Sequence, residues 1–417
     1  MQEDTALNFR HLAALLAVAR EGGISRAADA MNITQPALTQ GLARLEGELG
    51  AKLFTRAASG TSLTAEGALF IPRIERAFEG LRNAERAFPG TPALHRLGTT
   101  AQWRALVAVV ERHSVAQAAR ALGMAQQSLH RALTMLEGLC GAKLFLRSRQ
   151  GLEPLPAARA LARAASLAFA ELRQGRDALR EFRGVMDGRV SIGALPLARS
   201  GLVPKAAIAL LARYPNVQLH IIDGPYGALL HGLTHGRIDC IVGALRSPEP
   251  GPDIIQEEWF SEPLSIIVRP GHPILHGTPD AQALSGLSWV LPREGTPARD
   301  AFAAFFQAAN VAPPRQLIEC SSLVAARGLL LGSDSAAIFS TSQVRFELDC
   351  HQLAALPAPL PGSARPIGLA TRRDFTPTKV QTACMAALRS AAADLAGHIP
   401  GVVEKGGDQP TGAKLHA

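Results

Sequence analysis

Residues 34–49 read TQPALTQGLARLEGEL, and this stretch decides how the N-terminal part of the chain folds. Thr34 is suited to cap a helix, and Pro36 fits inside the first turn of that helix. Leucines at helical spacing predict its buried face: Leu38, Leu42, Leu45 and Leu49. The opposite face is mostly polar and can contact a partner; it carries Gln35, Thr39, Gln40, Ala43 and Arg44.

The residues before Thr34 predict two further helices. An apolar stripe from Leu12 to Ala19 has helical spacing and ends at Gly22-Gly23. A short helix from Ser25 to Met31 then carries the small pair Ala27-Ala28, and a tight turn leads into Thr34. Two helices that are joined by a tight turn and cross at small residues form a helix-turn-helix.

The same pattern occurs twice in the chain. Residues 50–54 and 141–145 both read GAKLF, and they are 91 positions apart. The same offset aligns Leu45-Glu46-Gly47 with Leu136-Glu137-Gly138. The N-terminal module is therefore duplicated.

A long amphipathic helix is predicted after each copy. The apolar positions of the first are Ile71, Ile74, Phe78 and Leu81, and those of the second are Leu161, Ala165, Ala168, Leu172 and Leu179. Because each stripe is too long for a lone helix, the two helices either join two chains or pair with each other within one chain. Pro72 and Gly175 are expected to interrupt them.

After about residue 187, strands alternate with helices. Residues 189–194, 217–222 and 239–243 predict strands separated by helical stretches. Such alternation indicates an α/β domain with a largely parallel sheet. The expected fold class is therefore multidomain: two all-α winged helix-turn-helix modules followed by an α/β domain.

Bulk properties narrow the classes of function. The chain has 417 residues, of which 47% are hydrophobic and 19% charged, and its formal net charge of +8 favours an anionic partner. The five cysteines form no C-x-x-C pair, so neither a disulfide framework nor a metal site is expected. No apolar run reaches membrane length and the N-terminus does not resemble a secretory signal, so we expect a cytoplasmic protein with no membrane partner.

The polar face of residues 34–49 suits contact with DNA bases. Gln35 and Gln40 can form bidentate hydrogen bonds to adenine, and Thr39 can reach a base, a phosphate or a thymine methyl group. Arg56 lies at the start of a short wing through Ser59-Gly60 and can reach a phosphate or a narrow minor groove. These side chains could also be a solvated helix face, but the order of cap, small pair and wing favours DNA contact.

Several motifs together resemble the N-terminus of LysR-type transcriptional regulators: Phe9-Arg10-His11-Leu12, Ala27-Ala28, residues 34–39 (TQPALT), Lys52-Leu53-Phe54-x-Arg56 and Leu63-Thr64-x-x-Gly67. Residues 188–193 (GRVSIG), 214–217 (YPNV), 236–239 (GRID) and 269–273 (RPGHP) resemble the effector-binding domain of that family. Within the family, this domain is similar to the subgroup of regulators of a galactose-binding protein and of aromatic catabolism.

The resemblance implies a regulator whose effector-binding domain has two lobes, like a periplasmic binding protein. Its implied partners are double-stranded promoter DNA, RNA polymerase and a small-molecule effector, in a homodimer or homotetramer without a cofactor. The predicted DNA contacts of the first copy are Arg10, Thr34, Gln35, Pro36, Thr39, Gln40, Arg44 and Arg56.

The expected division of the chain follows from these patterns. A winged helix-turn-helix occupies 1–66 with its linker and dimerisation helix at 67–90, and a divergent second copy occupies 91–156 with its linker helix at 157–187. The effector-binding domain spans 188–400, with lobe one at about 188–263 and 372–398 and lobe two at about 264–371. Residues 401–417 are expected to be a disordered tail.

The second copy departs from the first where DNA contact would be made. Ala125 stands in place of the capping Thr34, and His130 and Arg131 stand in place of Thr39 and Gln40. Either it is a second DNA reader with a different preference, which would use His130, Arg131 and Arg147, or it is a degenerate copy kept for packing or dimerisation.

The effector is expected beyond the carboxyl ends of the strands, where helix N-termini offer free N–H groups. The predicted contacts are Leu195, Arg199, Ser200, Gly224, Pro225, Gly243, Leu245, Gly295, Thr296, Ser321 and Ser322. Their hydroxyl and cationic groups suit a sugar or a small organic or aromatic acid.

The sequence argues against two other classes of function, an enzyme and a solute-binding receptor. Residues 235–240 (HGRIDC) contain the residue types of a nucleophile set, but Cys240 begins an apolar strand and is expected to be buried packing, so no enzyme is predicted. A solute-binding receptor would suit two lobes, but the N-terminal module argues against it.

Overall fold

The computed structural model describes residues 7–57, 60–91, 93–148 and 151–397, so the tail predicted at 401–417 lies outside the described residues. Each copy of the repeat folds as three helices, a two-stranded antiparallel hairpin and a long helix. The first copy consists of α1 (Phe9–Glu21), α2 (Ile24–Met31), α3 (Gln35–Leu49), β1 (Phe54–Ala57), β2 (Gly60–Leu63) and α4 (Ala65–Glu85). After the one-turn helix α5 (Leu94–Leu97), the second consists of α6 (Thr100–Arg112), α7 (Val115–Leu122), α8 (Gln126–Cys140), β3 (Phe145–Ser148), β4 (Gly151–Pro154) and α9 (Pro156–Phe182).

The repeated GAKLF motif begins with glycine because of how the helices before it end. Gly50 and Gly141 are the C-caps of α3 and α8, and both have φ of 60°. A side chain would strain the backbone in this left-handed conformation. The glycine therefore turns the chain out of the helix and into the hairpin in both copies.

A single apolar core joins the two copies. Phe9 of the first copy and Trp103 of the second are fully buried, and their ring centroids are 6.5 Å apart. Helix α4 packs along α9. Of the two arrangements expected for the long helices, the structure shows pairing within one chain.

Neither long helix is interrupted, so that prediction was wrong. Helix α4 continues through Pro72, and its buried neighbours Ile71 and Ile74 hold the helix against the core. Helix α9 also continues through Gly175. At this position the ring of Phe70 occupies the space that a side chain would need, so glycine serves the packing of the two helices and does not end α9.

The C-terminal part forms two lobes. Lobe one begins with β5 (Arg189–Ala194), α10 (Pro196–Ser200), α11 (Leu202–Arg213), β6 (Gln218–Ile222), α12 (Tyr226–Thr234), β7 (Cys240–Ala244) and β8 (Ile254–Glu262). Lobe two contains β9 (Ser265–Val268), a 3-10 turn (Pro273–His276), α13 (Ala281–Ser285), β10 (Ser288–Leu291), α14 (Pro297–Ala308), β11 (Leu317–Glu319), α15 (Leu323–Leu331), β12 (Ser335–Phe339), α16 (Arg345–Asp349) and β13 (Ala354–Ala355). The chain then returns to lobe one with β14 (Arg365–Arg372) and α17 (Lys379–Ala396).

The sheets have the strand orders β6-β5-β7-β14-β8 and β11-β10-β12-β9-β13. Pairing is parallel around β5 and β10, as expected, but β14 and β9 pair antiparallel with both of their neighbours. The sheets are mixed because the chain crosses from one lobe to the other and back.

The lobe boundary predicted at residues 371–372 lies too far toward the C-terminus. Strand β14 pairs with β7 and β8, so residues 365–371 belong to the sheet of lobe one. An apolar run of this length does not reveal by itself which sheet it joins. The fold class is confirmed: two winged helix-turn-helix modules precede a two-lobed α/β domain.

Candidate DNA interface and effector cleft

The first recognition helix is capped as its sequence predicts. The Thr34 hydroxyl accepts a hydrogen bond from the N–H of Ala37 at 3.4 Å, and Pro36 lies in the first turn. Its polar face is open, with Gln35, Gln40 and Arg44 exposed.

Three predicted DNA contacts have partners or partial burial within the protein. Gln35 accepts a hydrogen bond from the Ser25 hydroxyl at 3.2 Å, and Arg44 forms an ion pair with Glu48 at 3.1 Å. Thr39 is half-buried. The two bonded side chains lie near the surface, where such contacts are weak and can be exchanged for a contact with DNA.

Two other predicted contacts lie outside α3. Arg10 is exposed in the first turn of α1. The backbone of Arg56 lies in β1 and pairs with Thr61. Ser59, predicted in the wing, lies outside the described residues.

Each wing is attached to its recognition helix through a glutamate. Glu46 accepts hydrogen bonds from the Leu53 N–H at 2.9 Å and from Lys52 Nζ at 2.7 Å. In the second copy, Glu137 accepts the corresponding bonds from Leu144 N–H and Lys143 Nζ, both at 2.9 Å. These bonds hold the turn that connects the helix with the hairpin in the same position in both copies.

The second recognition helix differs at its start. Ala125 is the N-cap of α8 and makes no side-chain capping bond. His130 and Arg131 are exposed on this helix, and Arg147 is exposed in β3. The Nδ1 of His130 lies 3.4 Å from the Thr134 hydroxyl, one helical turn away. The three predicted residues are therefore available on the surface of an intact module.

A cleft of about 810 Å³ lies between the two lobes. Its lining includes these predicted effector contacts: Leu195, Arg199, Ser200, Gly224, Pro225, Gly295, Thr296, Ser321 and Ser322. Some of them have partners within the protein: Arg199 forms an ion pair with Asp223 at 2.9 Å, and the Ser321 hydroxyl accepts from Arg293 at 3.3 Å.

Two predicted effector contacts, Gly243 and Leu245, are not among the residues that line this cleft. The lining residues of this segment are Ala244 and Arg246. Successive side chains along an extended chain point to opposite sides, so the residues that face the cleft alternate with the two predicted ones. A Cβ at Gly243 would lie 2.5 Å from the Cβ of Leu195, and the Leu245 N–H donates to the Pro366 carbonyl at 2.9 Å.

Three lining residues outside the predicted contacts add charge and aromatic surface to the cleft. The guanidinium of Arg246 lies 4.1 Å from the centre of the Tyr226 ring. Arg365 reaches the cleft from β14 and donates to the Ser340 hydroxyl. Among the described residues, Arg246 Nη1, Arg365 Nε and the Tyr226 hydroxyl are buried atoms without a hydrogen-bond partner.

Burial lowers the pKa of both arginines. Desolvation lowers the pKa of Arg246, and it lowers that of Arg365 to about 10, against the opposing attraction of Glu262. Both guanidinium groups remain charged at neutral pH. Arg246 lies two residues after the end of β7, in a region that the sequence indicated. Arg365 could not be found this way, because its strand was assigned to the other lobe.

The cluster at residues 235–240 has a structural role. Cys240 is buried, and desolvation raises its pKa well above the usual value, so its thiol is not activated. Asp239 accepts a hydrogen bond from the Ser191 N–H at 2.8 Å. These contacts connect β7 with β5.

Comparisons with known proteins agree with this architecture. Residues 9–68 and 100–159 both match the family described as bacterial regulatory helix-turn-helix protein, lysR family, and residues 183–393 match the LysR substrate binding domain. Among the residues that the structure describes, no helix is both long and apolar enough to cross a membrane.

The transcriptional regulator GalR of Pseudomonas putida is 33% identical over 385 residues, which are 92% of this chain and 96% of that protein. An alignment of this extent includes residues of both modules. The uncharacterized regulator YdcI of Escherichia coli is 32% identical over 65% of this chain and 88% of its own length.

Among solved structures, a full-length point variant of OxyR from Pseudomonas aeruginosa has a similar fold. Its TM-score is 0.50 with 21% identity, and the match covers 70% of this chain and 93% of that one. The chain therefore belongs to the LysR family of bacterial regulatory helix-turn-helix proteins, and it is a DNA-binding transcription regulator with an effector-binding domain rather than an enzyme.

Proposed function

We propose that this regulator contacts promoter bases through the N-terminal half of α3, with Gln35, Thr39 and Gln40 as the base-reading side chains. The supporting observation is a capped helix whose polar face is open to solvent. The proposed supporting contacts are Arg10, Thr34, Pro36, Arg44 and Arg56. The regulator is proposed to act in the cytoplasm, together with RNA polymerase.

Fluorescence polarisation with a labelled duplex from the intergenic DNA beside its own gene tests this proposal. The double variant Thr39→Ala/Gln40→Ala should lose about 1–3 kcal/mol of specific binding per base contact removed. Arg213→Gln, an exposed cation in α11, is the matched control and should bind like the wild type. Unchanged binding by the double variant would exclude α3 as the reading helix.

For the effector, we propose a small organic acid rather than a sugar. The observation that carries this choice is that two cationic residues, Arg246 and Arg365, line the cleft, and each has one buried nitrogen without a hydrogen-bond partner among the described residues. A carboxylate would supply charge-assisted hydrogen bonds to both cations. The Tyr226 ring and neighbouring apolar side chains, such as Leu195, would pack against the hydrophobic part of an aromatic acid.

Calorimetry with the full chain separates the two effector classes, using benzoate, succinate and galactose as probes. A carboxylate should bind, and Arg246→Gln should weaken it by about tenfold or more, since a hydrogen bond to a charged group contributes about 1.5–3 kcal/mol. Arg213→Gln again serves as the control. Binding of galactose alone would overturn the acid assignment.

The mechanism proposed for regulation is a shift in lobe closure. An effector that binds the closed lobes more tightly shifts the population toward closure, and this changes how an oligomer presents its modules to DNA. The proposed division places the DNA-reading unit before residue 188 and the effector domain after it, in a homodimer or homotetramer.

A further inference from the structure

Contacts between equivalent residues indicate that the two copies of the module are related by an approximate two-fold axis. Phe9 and Thr100 are 91 positions apart, so they occupy equivalent places in the two copies. The Phe9 N–H donates to the Thr100 hydroxyl at 3.3 Å. Equivalent residues of two subunits meet in this way where the axis of an isologous pair passes. Phe78 and Phe169, also equivalent, both contact Phe9, with ring centroids 5.9 and 5.5 Å away.

Helices α4 and α9 are antiparallel across this axis. Arg183, just after the end of α9, forms an ion pair at 2.6 Å with Glu66 in the first turn of α4. Further along, Arg76 of α4 forms an ion pair with Glu171 of α9 at 3.0 Å. The two copies therefore form, within one chain, the kind of pair that two subunits of a symmetric dimer would form.

The pairing of these helices depends on a buried charge. The side chain of Arg73 is only 6% exposed, and its Nη1 donates to Glu171 at 3.2 Å and to Gln174 at 2.9 Å. At the positions equivalent to these two partners, α4 itself carries Gly80 and Asn83. Two α4 helices from two chains would leave Arg73 buried without a carboxylate, which is strongly unfavourable.

The steric fit also favours unlike helices. A Cβ at Gly175 of α9 would lie 2.7 Å from Cε2 of Phe70 on α4. The equivalent residue of α4 is Ala84, whose methyl group would collide with Phe70 in an α4–α4 pair of the same geometry. Helix α4 is therefore complementary to α9 and not to a second copy of itself.

The paired modules present different side chains to DNA. The Glu46 and Glu137 hydrogen bonds hold both wings in the same way, so the second module keeps the same position of its wing relative to its recognition helix. Its recognition helix exposes His130 and Arg131 where the first has Thr39 and Gln40. Arginine prefers the major-groove edge of guanine, whereas glutamine suits adenine.

We infer that one chain supplies both halves of a dimer-like reading unit and binds an operator made of two unlike half-sites. Helix α3 reads one half-site, and α8 reads the other through His130 and Arg131. This rests on the proposed DNA contact by α3, and it assigns the second module as a DNA reader rather than a packing remnant.

Selection of duplexes from a random-sequence pool by the full-length chain tests the inference. The wild type should enrich two inverted, unlike half-sites. Thr39→Ala/Gln40→Ala should lose base preference in one half-site and His130→Ala/Arg131→Ala in the other, each with about a tenfold loss of affinity for the selected duplex. The control Arg213→Gln should select the wild-type pair.

A measurement of stoichiometry complements the selection. Light scattering on complexes saturated with a short duplex that carries one pair of half-sites should give one bound duplex per chain, because each chain of an oligomer can then bind its own duplex. Two chains per duplex, or a palindromic selected site, would overturn the inference.

The outcomes also separate this inference from the proposed function. If His130→Ala/Arg131→Ala selects the wild-type motif with unchanged affinity while Thr39→Ala/Gln40→Ala loses it, α3 reads DNA and the inference on α8 is wrong. If the wild type enriches no motif, the proposed function fails and the inference fails with it.

Discussion

The two winged modules share the contacts that fold them but differ at the start and on the exposed face of the recognition helix. Both hold the wing through a glutamate and end the recognition helix at a left-handed glycine, since these features satisfy backbone groups that every copy must satisfy. The helix start and the exposed face differ, because solvent tolerates many side chains there. The contacts that fold the module are therefore the same in both copies, whereas the exposed face of the recognition helix differs.

The linker helices differ in a second respect, because the effector domain docks on α9. Ser166 and Arg173 donate to the carbonyls of His235 and Gly236 at 2.7 and 3.1 Å. Glu181 accepts from the N–H groups of Lys379 and Val380 at 2.8 and 3.0 Å. The second copy therefore lies between the first copy and lobe one, and α9 contacts both.

The largest effect is expected where the two copies meet. Gly175→Ala should lower the free energy of unfolding by about 1–3 kcal/mol, because the new methyl group overpacks against Phe70. Gly138→Ala in α8 is the matched control, with open space at its Cβ, and should be neutral or stabilising. Thermal and urea unfolding measure both; equal behaviour of the two variants would contradict the close fit of α4 and α9.

The next effect tests whether the glutamate that holds the wing contributes equally to the stability of both copies. Glu46→Ala and Glu137→Ala should each cost about 1–2 kcal/mol, since each leaves a backbone N–H without its charged acceptor. Hydrogen exchange at the Leu53 and Leu144 amides should accelerate only in the variant of the same copy. The exposed Glu75 of α4 is the control, and Glu75→Ala should change neither. Strongly unequal losses of unfolding free energy would mean that the glutamate contacts do not stabilise the two copies equally.

A smaller effect is expected at the helix starts. Thr34→Ala should destabilise by about 1 kcal/mol, because it removes the capping oxygen of α3. Ala125→Ser should stabilise the second copy by a similar amount, since Ala125 already has the extended N-cap conformation with φ −65° and ψ 141°. Unfolding by urea provides both values, and a destabilising Ala125→Ser would show that the two starts are not interchangeable.

The smallest effect is a pH dependence at the junction with α9. Burial, with the nearby His231, lowers the pKa of His235 from 6.5 to about 4. The unfolded chain therefore binds more protons between these values, so stability falls as the pH decreases from about 6.5 toward 4. Solvent screening reduces the effect of this partly exposed group.

Thermal unfolding at pH 7 and pH 5 measures this dependence. His235→Asn should show a smaller decrease between the two conditions than the wild type. His276→Asn, at an exposed position, should decrease as the wild type does. The same slope in all three proteins would exclude His235 as a source of the pH dependence.

The local structures and their repetition could be predicted from the amino-acid sequence alone. Thr34, the leucines of α3 and Gly50 act through neighbours within a few residues, so capping, amphipathic spacing and turn chemistry could be recognised without a structure. The motifs that carry the family resemblance are of this kind. Much of the predicted cleft lining also followed, because helix N-termini and strand ends are local features.

Which faces of the helices and strands meet depends on contacts that form only in the folded chain. That α4 pairs with α9, that β14 returns to the sheet of lobe one, and that Arg365 joins Arg246 in the cleft all depend on contacts between residues far apart in sequence. An apolar stripe shows that a surface is buried but does not name the surface that covers it. The helix pairing that forms is the one that buries the most apolar area, gives Arg73 a carboxylate partner and leaves room for the ring of Phe70.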